Sequence, residues 1–319
     1  MARATRRAAL VGLGLGAAGA ALAQAPILPG PELLAEGGFA WQPETAPQGP
    51  VLVLVSLTEQ IARVYRNGIE IGIARVSTGR PGYPTPTGVF TILQKARVHH
   101  SSTYDEASMP YTERLTWDGV ALHAGGVPGY PSSHGCVHLP LEFAELVFGV
   151  TAVGGTVVIA DQAQAPADLV HPGLMQPTTK LPGGSGDFAW SPERSPFGPL
   201  SLLVSIADGQ GYAYRNGIEI GRATASFARP GAPLLPAVYV LLDRRTDAGT
   251  PLWSEVGLFG AHDPGVRSDA LDRLVLPPAF TAELRPALVP GTSLYCALGS
   301  ATSDSRTGPG FTLLSARAA

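Results

Sequence analysis

The hydrophobic pattern along the chain is that of short strands. Residues 51–57, VLVLVSL, form a continuous apolar run of strand length. IARVYRNGIEIGIARVS (61–77) reads as two strands joined at Asn67-Gly68, a pair that favours the positive-φ turn of a hairpin. TPTGVFTILQKA (85–96) is a further strand entered from a Pro/Gly turn, and GVALHA (119–124) and GGTVVIAD (154–161) are two more. The one good helix signal here is LPLEFAELVFG (139–149), with Pro near its start and Gly at its end.

The pattern then repeats. Residues 188–226 align with 39–77 at a constant offset of 149 without a gap, and both carry the eight-residue identity YRNGIEIG. A period this long is a whole domain and not a solenoid unit. The expected organisation is a sheet-rich sandwich with one short helix over 40–161, a Pro/Gly/Gln/Thr linker over 162–187, a second copy over 188–301 and a polar tail over 302–319. LVLPPAFTAEL (274–284) still echoes CVHLPLEFAEL (136–146), but aligning the Leu-Pro pairs sets Arg273 opposite Cys136 and Leu271 opposite His134. The second copy keeps the scaffold and lacks the reactive cluster, which suits a binding or structural role.

The N-terminus bears on compartment. MARATRR is a basic n-region, AALVGLGLGAAGAALA is an apolar run of small residues, and Ala21-Leu22-Ala23 has the form of a signal-peptidase site. Residues 1–23 therefore read as a signal peptide, by the Sec or the twin-arginine route, and 24–39 as an N-terminal segment of an exported chain. Removing Arg3, Arg6 and Arg7 leaves 19 basic residues against 25 acidic ones, a net charge of about −6 with no basic footprint for nucleic acid. The 39 Gly and 30 Pro agree with short strands and many turns.

Candidate chemistry is concentrated in HAGGVPGYPSSHGCVHLP (123–140). Three of the seven histidines and one of the two cysteines fall between His123 and His138. Cys136, read as lying at a strand end ahead of a helix, has the helix dipole to favour thiolate. Gly135 permits close approach of backbone, and N–H groups around Gly135 and Cys136 are candidate oxyanion donors. His123, on a separate strand, is placed to activate the thiol for acyl transfer. A metal reading takes His123, His134, Cys136 and His138 as ligands, although no CxxC or HExxH spacing supports it. A third reading is a small buried cysteine among surface histidines.

SHGCVH with an upstream His on a strand resembles the signature of the L,D-transpeptidase catalytic domain of bacterial cell-wall enzymes. VSTGRPGYPTPTGVFTI (76–92) and MPYTERLTWDGVALHAGG (109–126) resemble the family's other motifs, in the family's order. The resemblance implies the family's β-sandwich with a cleft, Cys136 as nucleophile and His123 as general base. It implies that Ser133, His134 and Gly135 shape the turn, and that no cofactor or metal is needed. The implied partner is a peptidoglycan stem peptide: a thioester forms at the third residue with loss of D-Ala. An amine of a neighbouring stem, or the lysine of a wall-anchored protein, then resolves it in the periplasm at the cell wall. Water as acceptor would give an L,D-carboxypeptidase. The family usually carries Arg or Asn where this chain has His138, and a neutral imidazole cannot hold a carboxylate bidentately as Arg does. His138, Tyr111 and Tyr130 are the candidate substrate-binding residues, with Tyr83 and Trp117 also possible cleft residues. His99-His100 read as exposed polar positions. Cys296, in the apolar strand SLYCAL, reads as core, with both thiols free.

Overall fold

The computed structural model describes residues 28–101, 107–161, 167–170, 188–215, 218–229, 234–257, 269–301 and 312–315. The signal peptide expected over 1–23 lies outside them, as do most of the expected linker over 162–187 and of the expected tail over 302–319.

The first repeat contributes β1 (Phe39–Trp41), β2 (Val51–Ser56), β3 (Ile61–Arg66), β4 (Ile69–Arg75), β5 (Gly88–Thr91), β6 (Gln94–Ala96), β7 (Thr112–Arg114), β8 (Ala121–Ala124), β9 (Val137–Leu139), the helix α1 (Leu141–Val150) and β10 (Thr156–Ala160). Next comes β11 (Ala167–Val170). The second repeat contributes β12 (Phe188–Trp190), β13 (Leu200–Ser205), β14 (Gln210–Arg215), β15 (Ile218–Thr224), β16 (Ser226–Phe227), β17 (Ala237–Arg245) and β18 (Pro251–Gly257). It closes with α2 (Ala270–Arg273), β19 (Leu274–Val275), α3 (Pro278–Leu284) and β20 (Ser293–Ala297), and β21 (Thr312–Ser315) ends the described chain. The mainly β architecture expected from the pattern is the one that forms.

The β3–β4 hairpin turns at Asn67 and Gly68, with φ of 52° and 80°; positive φ at both positions is the geometry whose twist matches the flanking strands. The expected strand over 85–96 is instead two, β5 and β6, which belong to different sheets. The large sheet runs β1-β4-β3-β2-β10-β5-β21, and a small sheet runs β6-β7-β8-β9. They enclose one core in which Val53, Val55, Val64 and Phe90 of the large sheet meet Leu122 and Val137 of the small one and Phe143 and Val147 of α1. Lys95 of β6 ties the helix down: its Nζ donates to the carbonyls of Phe148 and Thr151 at 2.6 and 2.8 Å and pairs with buried Glu113 of β7 at 3.3 Å. A cation there satisfies last-turn carbonyls and the negative end of the helix dipole together.

The second repeat builds its sheet in the order β12-β15-β14-β13-β20-β17, the order of β1-β4-β3-β2-β10-β5. Register is also shared, since Phe39 pairs Ala74 as Phe188 pairs Ala223. The two large sheets pack face to face through a third core. Leu54 and Leu203, Tyr65 and Tyr214, Val89 and Val238 are equivalent pairs by the 149 offset, and all six lie in it. This packing accounts for the uninterrupted VLVLV run. Val53 and Val55 face the inner core while Leu52 and Leu54 face the other sheet, so neither face of β2 meets water.

Two expectations about connections are corrected. Residues 167–170, within the expected linker, form β11 on the edge of the second sheet against β18. Residues 312–315, within the expected tail, form β21 on β5 of the first sheet. Each segment lends a strand to an edge that would otherwise offer unpaired backbone groups.

Candidate active site

The small sheet carries the reactive residues on one face. β8 and β9 run parallel with Leu122 beside Val137 and His123 beside His138. β7 lies antiparallel on the other side of β8, with Glu113 opposite Leu122 and Arg114 opposite Ala121. Side chains alternate along strands. Leu122 and Val137 therefore point into the core, and Arg114, His123 and His138 share the opposite face, with Cys136 two residues before His138. That face lines a cavity of about 380 Å³ to which His99, Arg114, His123, His134, Cys136 and His138 all contribute, with Asp118 and Gly119 at the β7–β8 turn.

The turn before Cys136 is held from beneath by the Ser77-Thr78-Gly79 stretch. Ser77 exchanges backbone hydrogen bonds with His138 at 2.8 and 3.0 Å, and the N–H groups of Ser132 and Ser133 donate to the Thr78 carbonyl at 3.0 Å. Ser77 Oγ donates to the Tyr130 carbonyl at 2.7 Å. Gln60 in turn fixes Thr78, donating from Nε2 to its Oγ1 at 2.6 Å and accepting its N–H at 2.9 Å. Ser133 is 1% exposed; its Oγ donates to the Cys136 carbonyl at 2.5 Å and accepts the Gly135 N–H at 3.1 Å. Gly135 has φ of 109°, which a side chain would strain.

His123 is 6% exposed, and its Nδ1 lies 2.8 Å from the Ala124 carbonyl. A carbonyl can only accept, so Nδ1 carries the proton and Nε2 keeps its lone pair. His138 is oriented in the same way by the Gly126 carbonyl at 3.2 Å, and the two rings meet edge to face with centroids 4.8 Å apart. Burial, with the neighbouring His138 charge next, pushes the His123 pKa down to about 4. Burial also lowers that of His138. The half-buried Cys136 thiol is pushed up by burial, against the opposing effects of a backbone hydrogen bond at Ala121 and the Arg114 charge. Its Sγ donates to the Gly119 carbonyl at 3.4 Å, and among the described residues no hydrogen bond links it to His123. At neutral pH the site therefore rests as a neutral thiol and a neutral imidazole.

Several expectations change. Cys136 stands before the first residue of β9, and α1 begins at Leu141 on the far side of that strand, so the helix dipole does not act on the thiol. The Gly135 N–H is committed to Ser133 and is not an oxyanion donor. Tyr111 and Tyr130 do not line the cavity: Tyr111 packs edge-on against Phe148, and Tyr130 is 61% exposed on the loop. Tyr83 stands edge-on to His134, whose Nε2 accepts from Arg80 at 2.7 Å. His99, read as an exposed position, is half-buried and lines the cavity. Arg114, Asp118 and Gly119 were not read as site residues. Only the strand register brings Arg114 beside the thiol. Among the described residues, no three His, Cys, Asp or Glu side chains are grouped as metal ligands would be. Cys296 is fully buried on β20 and is not bridged to Cys136.

In the second repeat Ser226 pairs Val275 as Ser77 pairs His138, which sets Arg273 in the place of Cys136. Arg273 is 2% exposed, donates to the carbonyls of Ala228 and Arg229 at 2.9 and 3.0 Å, and pairs with Asp269 at 3.1 Å. A buried, paired guanidinium thus stands at the register position that the thiol holds in the first repeat.

Comparison with known proteins adds a family. Residues 50–159 match the model of the L,D-transpeptidase catalytic domain (YkuD). A protein described as probable L,D-transpeptidase 3 of Mycobacterium tuberculosis is 32% identical over 108 residues, covering 29% of this chain and 40% of the relative. The chain thus spans less than half the length of that curated relative. Among solved structures, an L,D-transpeptidase of M. tuberculosis H37Rv shares 29% identity over 35% of this chain and 57% of its own, with a TM-score of 0.34. An L,D-transpeptidase of Stackebrandtia nassauensis shares 30% over 36% and 56%, with a TM-score of 0.32. The part of the chain that matches the L,D-transpeptidase catalytic-domain model, residues 50–159, is the part that holds the cysteine cavity.

Proposed function

We propose that the chain is an exported peptidoglycan L,D-transpeptidase with Cys136 as nucleophile and His123 as base. The observation that carries this reading is the placement of Cys136 and His123 on one face of paired strands, lining one cavity. Because thiol and imidazole both rest neutral, the reaction is general-base catalysis and not attack by a preformed ion pair. The thiol must leave the Gly119 carbonyl to which it donates and engage Nε2 of His123, the ring nitrogen left free by the bond at Nδ1. As Sγ attacks the carbonyl on the L-centre of the third stem residue, its proton passes to Nε2. The C–N bond then breaks, the proton leaves on the amine of D-Ala, and a thioester remains. An acceptor amine loses its proton to His123 as it attacks the thioester, and the thiol is restored. Periplasmic location at the wall follows from the signal-peptide reading, and the acceptor is a neighbouring stem or a protein lysine.

Intact-protein mass after exposure to a carbapenem tests the nucleophile. One adduct on the wild type, absent from Cys136→Ala, is expected; a folded wild type that takes no adduct would overturn the assignment and leave a wall-binding scaffold. Product analysis on tetrapeptide donors separates the chemistries, with dimers marking transfer and free tripeptides marking hydrolysis.

A further inference from the structure

Arg114 is a cationic residue of the cavity that this mechanism leaves unused. It is half-buried and shares the cavity face with the thiol, and its charge reaches Cys136. Its contacts are weak for such a group: Nη2 lies 3.4 Å from His99 Nε2, and the guanidinium stands 5.8 Å from the Trp117 ring centre. Among the described residues it has no carboxylate partner. Most of its five N–H donors are thus left for an anion that the cavity admits. The position after the Cys136-Val137 pair, meanwhile, holds an imidazole whose Nδ1 is spent on the Gly126 carbonyl. The charge that could hold an acid in this site comes from β7 and not from β9.

Resting on the transpeptidase reading above, we infer that Arg114 holds the free α-carboxylate of the amino acid that leaves from the donor peptide. Geometry favours that carboxylate. Arg114 and Cys136 lie two strands apart, roughly 10 Å between Cα atoms, and both side chains rise from the same face. The guanidinium meets His99 on that face, its charge is felt at Cys136, and both side chains line the same cavity, so a carboxylate that it holds lies on the same side of the sheet as the carbonyl that Sγ attacks. In a peptide the carboxylate of the following residue is only about 3.5 Å along the chain from that carbonyl. A bidentate clamp there also sets the scissile bond across the thiol, so Arg114 is a specificity residue that touches the leaving group.

The test compares two donor peptides, a tetrapeptide ending in D-Ala and the same peptide with its terminal carboxylate amidated, on the full chain. Acyl-enzyme formation is read by intact mass and rate. The wild type is expected to prefer the free acid roughly tenfold to a hundredfold in kcat/KM, the worth of a charge-assisted pair. Arg114→Gln should abolish the preference, and Arg114→Lys should keep part of it. Melting temperature and iodoacetamide reactivity, measured on each variant, report folding and thiol reactivity separately from the acid-to-amide ratio. A wild type that acylates with acid and amide equally, or an Arg114→Gln that keeps the preference, would overturn the inference and leave the transpeptidase reading standing. A wild type acylated by neither peptide nor by a carbapenem would overturn both.

Discussion

Lowering pH should destabilise this protein through His123, and the size of the effect follows from its burial. The imidazole is 6% exposed and its pKa in the folded protein is about 4, against 6.5 for an unperturbed histidine. The unfolded chain takes up its proton as pH falls through 6.5, whereas the folded protein resists until pH 4. The stability this residue contributes is therefore complete above 6.5 and is lost progressively down to about pH 4. At 1.36 kcal/mol per unit, the loss is roughly 3 kcal/mol, a large share of a domain's stability. Urea unfolding at pH 7, 5.5 and 4.5 measures it, with His123→Gln as reference because glutamine does not titrate. Carboxylates and His138 titrate in both proteins, so the readout is the difference: by pH 4.5, two units below the unfolded pKa, the wild type should lose roughly 2.5 kcal/mol more than the variant. Parallel pH profiles would refute the reasoning. His138→Asn should shrink the loss, since the His138 charge is the second cause of the His123 depression. The same depression predicts acylation rates that stay flat from pH 5 to 8, without an acid limb near 6.5.

Three further outcomes follow from contacts elsewhere. Lys95→Met should cost roughly 3–5 kcal/mol in chemical denaturation, because it leaves Glu113 and the last α1 carbonyls without their cation; a loss under about 1 kcal/mol would show that they find other partners. Gly125→Ala would set a methyl 2.6 Å from His138 Cγ and push that ring against His123, slowing acylation on the order of tenfold to a hundredfold with the fold retained. Leu203→Asp buries an unpaired charge between the two large sheets and should destabilise both repeats together in a single cooperative shift, read by denaturation followed through tryptophans of each half. Loss confined to the second repeat would show that the sheets do not support one another.

Much of this protein is written in local sequence. Asn67-Gly68 specifies its hairpin because few other residues tolerate positive φ twice in succession, and LPLEFAELVFG marks α1 within two residues. The 149-residue offset foretold that both large sheets would share strand order, since equal patterns bury equal faces. Residues 136 and 123 were legible because a thiol and an imidazole near turns are rare and chemically distinctive. Tertiary structure decided the rest. Whether Cys136 stood at the head or the foot of a strand settled the dipole argument, and a three-residue strand such as β9 has no periodicity from which to read that. Arg114 and His99 joined the cavity through the pairing of β6, β7 and β8, and the turns between those strands do not announce that register. β11 and β21 reach sheet edges far from them in sequence, drawn by backbone groups that need partners. Local pattern determines which faces are apolar; the pairing of distant strands determines which polar groups meet, because that choice is made by the burial of the whole chain at once.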